Sequence, residues 1–221
     1  MAVMNRLTLR ACTLAALCGL VAGPAALAQT AGASARTEAT ASGARAESPL
    51  RVEGYPFERR LLVAQSELVL NGIGLRAVAW IKGYAAALYL TRRATTVAEV
   101  LAEAGPKRLH LRMLLDVPAV EFTKAIRNGI ARNTPAAEQA ALSERVAAFD
   151  AMVLATGSVK KGDVVNLDFV PGQGMSFVLN GTARGAVIPG DDFYAAILRI
   201  FIGNKPVDPE MKTGLLGGPI G

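Results

Sequence analysis

The stretch Leu70-Asn71-Gly72-Ile73-Gly74-Leu75-Arg76-Ala77-Val78-Ala79-Trp80-Ile81-Lys82-Gly83-Tyr84-Ala85-Ala86-Ala87-Leu88-Tyr89-Leu90 decides the fold class. Asn71-Gly72-Ile73-Gly74 reads as a turn, because Asn and Gly tolerate the backbone angles a reversal needs. Residues 75–81 read as a strand, and Lys82-Gly83 as a second turn. Residues 84–91 are almost wholly apolar, the pattern of a strand buried on both faces. Strands joined by tight turns run antiparallel. The partly alternating stretch 59–70 adds a strand upstream, so an antiparallel meander is expected here.

Downstream, Thr95 and Thr96 offer an N-cap for a short helix ending near Ala104, with Gly105-Pro106 as its stop. Residues 108–114 alternate, with His110 and Arg112 on one side and Leu109, Leu111 and Met113 on the other, as a half-buried strand would. Pro118 suits the first turn of a helix running to about Asn133, and Thr134-Pro135 starts a longer one to about Ala155, closed by Gly157. Residues 163–170, 175–179 and 183–188 read as short strands, separated by the hairpin signals Pro171-Gly172-Gln173-Gly174 and Asn180-Gly181. Gly190-Asp191-Asp192 is expected to cap a helix over 193–202, and a short helix over 209–215 follows. Strands, helices, strands, helix: this order predicts an α+β domain, a large antiparallel β-sheet covered on one face by helices.

At the N-terminus, Arg6 and Arg10 precede an apolar run over 11–22, a Gly23-Pro24 break and Ala26-Leu27-Ala28. That is the layout of a secretory signal, with cleavage expected after Ala28; the run is too short to span a bilayer. Residues 29–51, rich in Ala, Ser, Thr and Gly, read as a flexible leader. Residues 52–221, roughly 170 in number, are a normal size for one domain. The chain is thus expected to be exported, to the periplasm. Cys12 and Cys18 both fall in the signal, so the mature chain would hold no disulfide, thiolate nucleophile or cysteine metal site. Twenty-four Lys and Arg against 18 Asp and Glu leave a charge of +6. The basic residues are scattered, without a basic block interleaved with aromatics, which argues against nucleic acid as a partner. No segment after residue 28 is long and apolar enough to span a membrane.

Few residues offer chemistry. The glycines at 72 and 74 lie between strands and open no helix, so they form no phosphate loop. His110, the only histidine, has no Ser, Cys or carboxylate partner at a catalytic spacing. No ligand spacing suggests a metal or cofactor, and Asp191 and Asp192 read as capping residues. Arg76 and Tyr84 stand out: guanidinium and phenol are the groups that hold a carboxylate or phenolate in an apolar pocket. The pair also reads as an ordinary edge arginine and a core tyrosine.

Two stretches carry a family resemblance. Residues 70–76 with Gly83-Tyr84-Ala85-Ala86-Ala87-Leu88-Tyr89-Leu90 resemble the early hairpin of the chalcone isomerase family, a Gly-x-Gly-x-Arg turn followed by an apolar strand ending in Tyr-Leu. Ile188-Pro189-Gly190-Asp191-Asp192-Phe193, Ile200-Phe201-Ile202-Gly203 and Lys205-Pro206-Val207-Asp208 resemble its closing helix and tail. The chain looks closest to the bacterial exported branch. The resemblance implies an open-faced β-sandwich with a ligand cleft between sheet and helices. In the plant enzymes that cleft cyclises a chalcone to a flavanone, and an arginine kept here as Arg76 holds the substrate oxygens.

The other catalytic positions of those enzymes do not carry over. Tyr84 stands where they have a threonine. Phe122, Ala125 and Gly129 align with their tyrosine, lysine and asparagine, while Lys124 and Asn128 lie one position earlier, about 100° around the helix. Under the alternative register Glu121 replaces the tyrosine. A lone arginine binds an oxyanion but gives little differential stabilisation of a transition state. The family's fatty-acid-binding relatives pair an arginine with a tyrosine on the carboxylate, which Arg76 and Tyr84 match. The expectation is therefore a protein, without catalytic activity, that binds a fatty acid or similar amphipathic or aromatic ligand. Arg76 and Tyr84 would hold its head, and Trp80, Phe122 and Ile126, with Val78, Ala86 and Leu88, its apolar body. An isomerase (intramolecular lyase) acting through Arg76, and an envelope partner protein without ligand, are the alternatives.

Overall fold

The structure, a computed structural model, describes residues 47–220. The expected signal and most of the leader lie outside the described residues. The chain is already in a strand at Leu50: β1 (Leu50–Val52) pairs antiparallel with β2 (Tyr55–Phe57). Then come β3 (Arg60–Val63), β4 (Ser66–Val78), β5 (Ile81–Leu90), α1 (Val97–Ala102), β6 (Lys107–Met113), β7 (Val117–Pro118), α2 (Ala119–Asn133) and α3 (Ala136–Leu154). The chain continues through β8 (Ser158–Val159), β9 (Val164–Val170), β10 (Gly174–Leu179), β11 (Thr182–Ile188), α4 (Asp191–Ile202) and α5 (Pro209–Leu215). Seven strands form one sheet in the order β11-β10-β9-β6-β5-β4-β3, every neighbour antiparallel. The sheet is curled, with helices on one face, and this is the α+β architecture expected.

Each face has its own core. On the helix side, Ala86, Leu88, Leu109, Leu111 and Leu167 pack under Phe122, Ile126 and Ile130 of α2 and Phe193, Ile197 and Phe201 of α4. Residues four apart on a helix share a face, so each trio is one stripe. Burying each such side chain contributes roughly 1.5–3 kcal/mol. On the far side, Leu68, Leu70, Ile73, Leu75, Ala87 and Tyr89 pack beneath Phe57 and Val52 of the β1–β2 hairpin. Strand β5 therefore lies between two apolar layers, which is why it is apolar at every position from Ala85 to Leu90.

The expected turn at residues 71–74 is not there. Strand β4 runs straight through it, and the chain reverses instead at Ala64-Gln65 and at Ala79-Trp80, where Ala64, Gln65 and Ala79 have positive φ. Lys82 and Gly83 lie within β5. The glycines serve close approach: a Cβ on Gly72 would collide with the backbone of Gly214, and one on Gly74 with the backbone of Met211. Helix α5 thus lies directly on β4. The pairing of β4 with β5 slips between Leu70 and Gly72, a β-bulge that sets Asn71 aside from the ladder. The freed Asn71 amide is buried; its Nδ2 donates to Leu215 O (2.8 Å) and its Oδ1 accepts from Ala94 N–H (2.7 Å).

The expected cap of the last long helix also differs. Gly190 is the N-cap residue, and Asp191 and Asp192 lie in the first turn. The Asp192 carboxylate is engaged by Arg145 of α3 at 2.5 and 2.7 Å, which holds its pKa below the usual carboxylate range. The expected Thr96 cap is present, with Glu99 completing a capping box.

Candidate functional site

Arg76 and Tyr84 are direct partners across β4 and β5, so both side chains leave the sheet on the helix side. Tyr84 enters an apolar hollow of about 100 Å³ between sheet and helices. Phe122, Ala125 and Ile126 of α2, Met113 of β6, Phe201 of α4 and Val207 are among its other walls. Outside it lies a wider, shallower hollow of about 430 Å³, bordered by Arg76, Ala125, Asn128, Ala131, Arg132 and Val207. Ala125 and Val207 belong to both hollows, so they form one cleft: an apolar pit under a rim of two guanidinium groups and an amide.

The rim is built from distant segments. Asn133, at the end of α2, donates to Lys205 O (2.8 Å) and accepts from Lys205 N–H (2.9 Å), while Val207 N–H donates to Ile200 O (2.8 Å). These bonds fix the loop after α4 across the end of α2 and bring Asp208 to Arg76. Asp208 Oδ1 caps α5, accepting from Glu210 and Met211 N–H at 3.0 and 3.1 Å. Its Oδ2 accepts from Arg76 Nη1 at a long 3.4 Å. Pro209 follows at the first helical position, where its missing N–H costs nothing.

Arg76 is half-buried, its side chain 26% exposed. Nη1 also donates to Ala77 O (2.8 Å). Among the described residues, Nη2 and Nε have no protein partner, which leaves three of the five guanidinium N–H groups for a ligand. The Tyr84 hydroxyl likewise has no partner among the described residues. Burial holds its pKa far above the usual phenol range, with Arg76 opposing and Asp208 adding to the effect. The hydroxyl therefore stays protonated and can donate.

The structure brings Arg76, Tyr84, Phe122 and Ile126 together around this cleft. It does not bring Trp80, which stands at the tip of the β4–β5 hairpin with 86% of its surface exposed; Val78 is exposed beside it. The wall expected of these two is supplied by Val207 and the α4 residues instead. Ala86 and Leu88 lie on the correct face but are fully buried in the core. On α2, Phe122 and Ala125 face the cleft, Gly129 packs on Ile200, Asn128 reaches the rim, and Lys124 points to solvent toward Glu121. The positions aligned with the enzymes' tyrosine, lysine and asparagine thus carry no proton-handling group; the largely exposed Glu121 carboxylate borders the pit. His110 sits on the opposite face of the sheet, against Phe57 and bonded through Nδ1 to Asn166 Oδ1 at 2.8 Å. Val207 and Asp208 were legible only as part of the family's tail and not as site residues, although an Asp followed by Pro209 is a recognisable helix start. Among the described residues no three His, Cys, Asp or Glu side chains are grouped to hold a metal ion.

The profile of the chalcone isomerase-like family matches residues 49–217. The chain belongs to that family. No curated protein sequence matches it significantly. Among solved structures, a fatty-acid binding protein from Arabidopsis thaliana is similar: 16% identity, TM-score 0.57, covering 77% of this chain and 96% of that one. At that identity the likeness establishes a shared fold.

Proposed function

We propose that this chalcone isomerase-like protein is an exported, periplasmic member of the family's bacterial branch that binds an amphipathic carboxylate, such as a fatty acid, without transforming it. The observation that carries this reading is the Arg76 guanidinium, half-buried over an apolar pit with three N–H groups unengaged. A carboxylate there takes charge-assisted bonds from Arg76 and a further one from Tyr84, displacing only the long contact to Asp208. Asp208 keeps its two bonds to α5. Arg132 adds positive potential at the rim. The inward-facing Phe122 and Ala125, and the fatty-acid binding Arabidopsis protein of the same fold, both support a carrier over a catalyst.

Size limits the ligand. The inner hollow, at about 100 Å³, is below the ~300–1,000 Å³ of typical ligand sites. With α2 in this position it takes a short apolar segment, and a long acyl chain requires α2 to move or runs out through the rim. Mass spectrometry of molecules extracted from purified protein, beside the Arg76→Ala variant, tests the proposal. Retention of a carboxylate by the parent and its loss in the variant are expected; equal retention by both overturns it. The isomerase alternative keeps one observation in its favour, Arg76 at the cleft mouth. Its substrate would be unknown; naringenin chalcone cyclised no faster than in buffer removes the plant reaction alone.

A further inference from the structure

The β4–β5 hairpin that carries Arg76 and Tyr84 ends in an apolar tip that is largely exposed among the described residues. Val78, Trp80 and Ile81 are 59%, 86% and 55% exposed. Val78 pairs with Ile81, so Ala79 and Trp80 form the reversal itself. Three large apolar side chains at the end of a protruding hairpin contribute nothing to either core, and their exposure opposes folding in water.

Their neighbours point to what covers them. Lys82 follows the tip and borders an open polar hollow of about 510 Å³, together with Glu53, Tyr55, Leu114 and Lys161. Lys82 is paired with Glu53 at 2.8 Å, and the next lysine, Lys160, with Asp116 at 3.2 Å. Lys161 has no carboxylate within ion-pair distance among the described residues. An aromatic ring and aliphatic side chains projecting beyond a pair of lysines match the layered chemistry of a bilayer surface. Apolar groups and Trp enter the boundary between headgroups and acyl chains, and ammonium groups remain among the phosphates. A protein partner would be expected to present a shaped apolar surface around the tip; here the tip is a point with charge behind it.

We propose that Val78, Trp80 and Ile81 dip into the surface of an anionic lipid bilayer, with Lys82 and Lys161 on the headgroup phosphates. This places the mouth of the Arg76 cleft, on the same hairpin, at the membrane surface. The docking stands on its own geometry. Its purpose, exchange of an amphipathic carboxylate with the bilayer, rests on the proposed function.

Trp80 is the only tryptophan in the chain, so its fluorescence reports the tip directly. The full chain is mixed with vesicles of phosphatidylcholine containing phosphatidylglycerol, and with vesicles of phosphatidylcholine alone. On the anionic vesicles the emission is expected to move to shorter wavelength and acrylamide quenching to fall severalfold. Ile81→Glu, which keeps the probe, should abolish both changes, and Lys82→Gln with Lys161→Gln should sharply reduce them. Attachment through the apolar N-terminal run would sediment the protein with vesicles while leaving the Trp80 emission unmoved. That result overturns the proposal and leaves the tip to a protein partner. An equal shift on neutral vesicles overturns the role of the lysines. Binding of dispersed fatty acid in the absence of vesicles tests the cleft alone, so failure of one reading is distinguishable from failure of the other.

Discussion

Arg76 and Arg108 both rise from strands of the same sheet, on opposite faces, and they are held very differently. Arg108 lies directly across from Asp168 and grips it with two bonds, Nε to Oδ1 at 2.5 Å and Nη2 to Oδ2 at 2.6 Å. Its neighbours on that face are packed: His110 lies under Phe57, and the Arg112 guanidinium lies 5.0 Å from the Tyr55 ring. Arg76 has one long contact to Asp208 and an apolar hollow beside it. A bidentate pair in a filled layer leaves the cation nothing to do but hold strands together. A cation held through one nitrogen, by a backbone carbonyl and a distant carboxylate, retains binding capacity beside empty space. The difference separates a structural arginine from an available one without reference to either residue type.

Four experiments would break or sharpen this contrast. Gly72→Val drives a side chain into the backbone of α5, with the largest expected loss, about 3 kcal/mol or more by denaturant titration. A loss below 1 kcal/mol would mean that α5 is not seated on β4. The second concerns pH on the packed face. Burial, with Arg112 and Arg108 nearby, lowers the His110 pKa to about 4 against the Asn166 bond that raises it. The folded chain therefore binds this proton less readily than the unfolded one, whose imidazole titrates near 6.5. Stability from this group is complete above pH 6.5, falls as pH drops, and is lost by about pH 4, a change of about 3 kcal/mol. His110→Gln, which can keep a donor toward Asn166, should flatten that part of the pH–stability curve; an unchanged curve refutes the assignment. Third, Asp168→Ala strands a mostly buried Arg108 and should cost about 2 kcal/mol, reduced from a fully buried pair by the remaining exposure. Last, Arg76→Met should change stability by less than about 1 kcal/mol while removing carboxylate binding. A stability loss as large as that of Asp168→Ala would erase the distinction between the two arginines.

Much of the architecture was legible in the chain. The unbroken apolar run of β5 announced a strand with both faces covered. Thr96 and Glu99 announced the start of α1, and Asn180-Gly181 the hairpin between β10 and β11. What misled was glycine. Gly72 and Gly74 look like a reversal because the same missing Cβ permits either a turn or the close approach of another backbone, and only the position of α5 decides which. Trp80 looked like a cleft wall because an aromatic in a half-apolar strand usually faces inward. The register that leaves it in the loop depends on Val78 pairing with Ile81, a long-range outcome. For the site, Arg76 and Tyr84 were legible as a pair because a short hairpin joins them. Asp208, 132 positions from Arg76, was not.

The bulge at Leu70 has one more consequence. Leu68 and Leu70 point to the hairpin side of the sheet, and so do Ile73 and Leu75. The surplus residue switches the strand from even to odd numbering on that side, and Arg76 inherits the opposite side from the switch. Drawing Asn71 into the ladder, with no residue removed, would turn the guanidinium toward Tyr89 and Phe57, whereas deleting Asn71 would leave Arg76 on the helix side. The address of the arginine is therefore written as a count from the bulge, and one residue gained or lost between Gly72 and Arg76 would send the guanidinium to the other face.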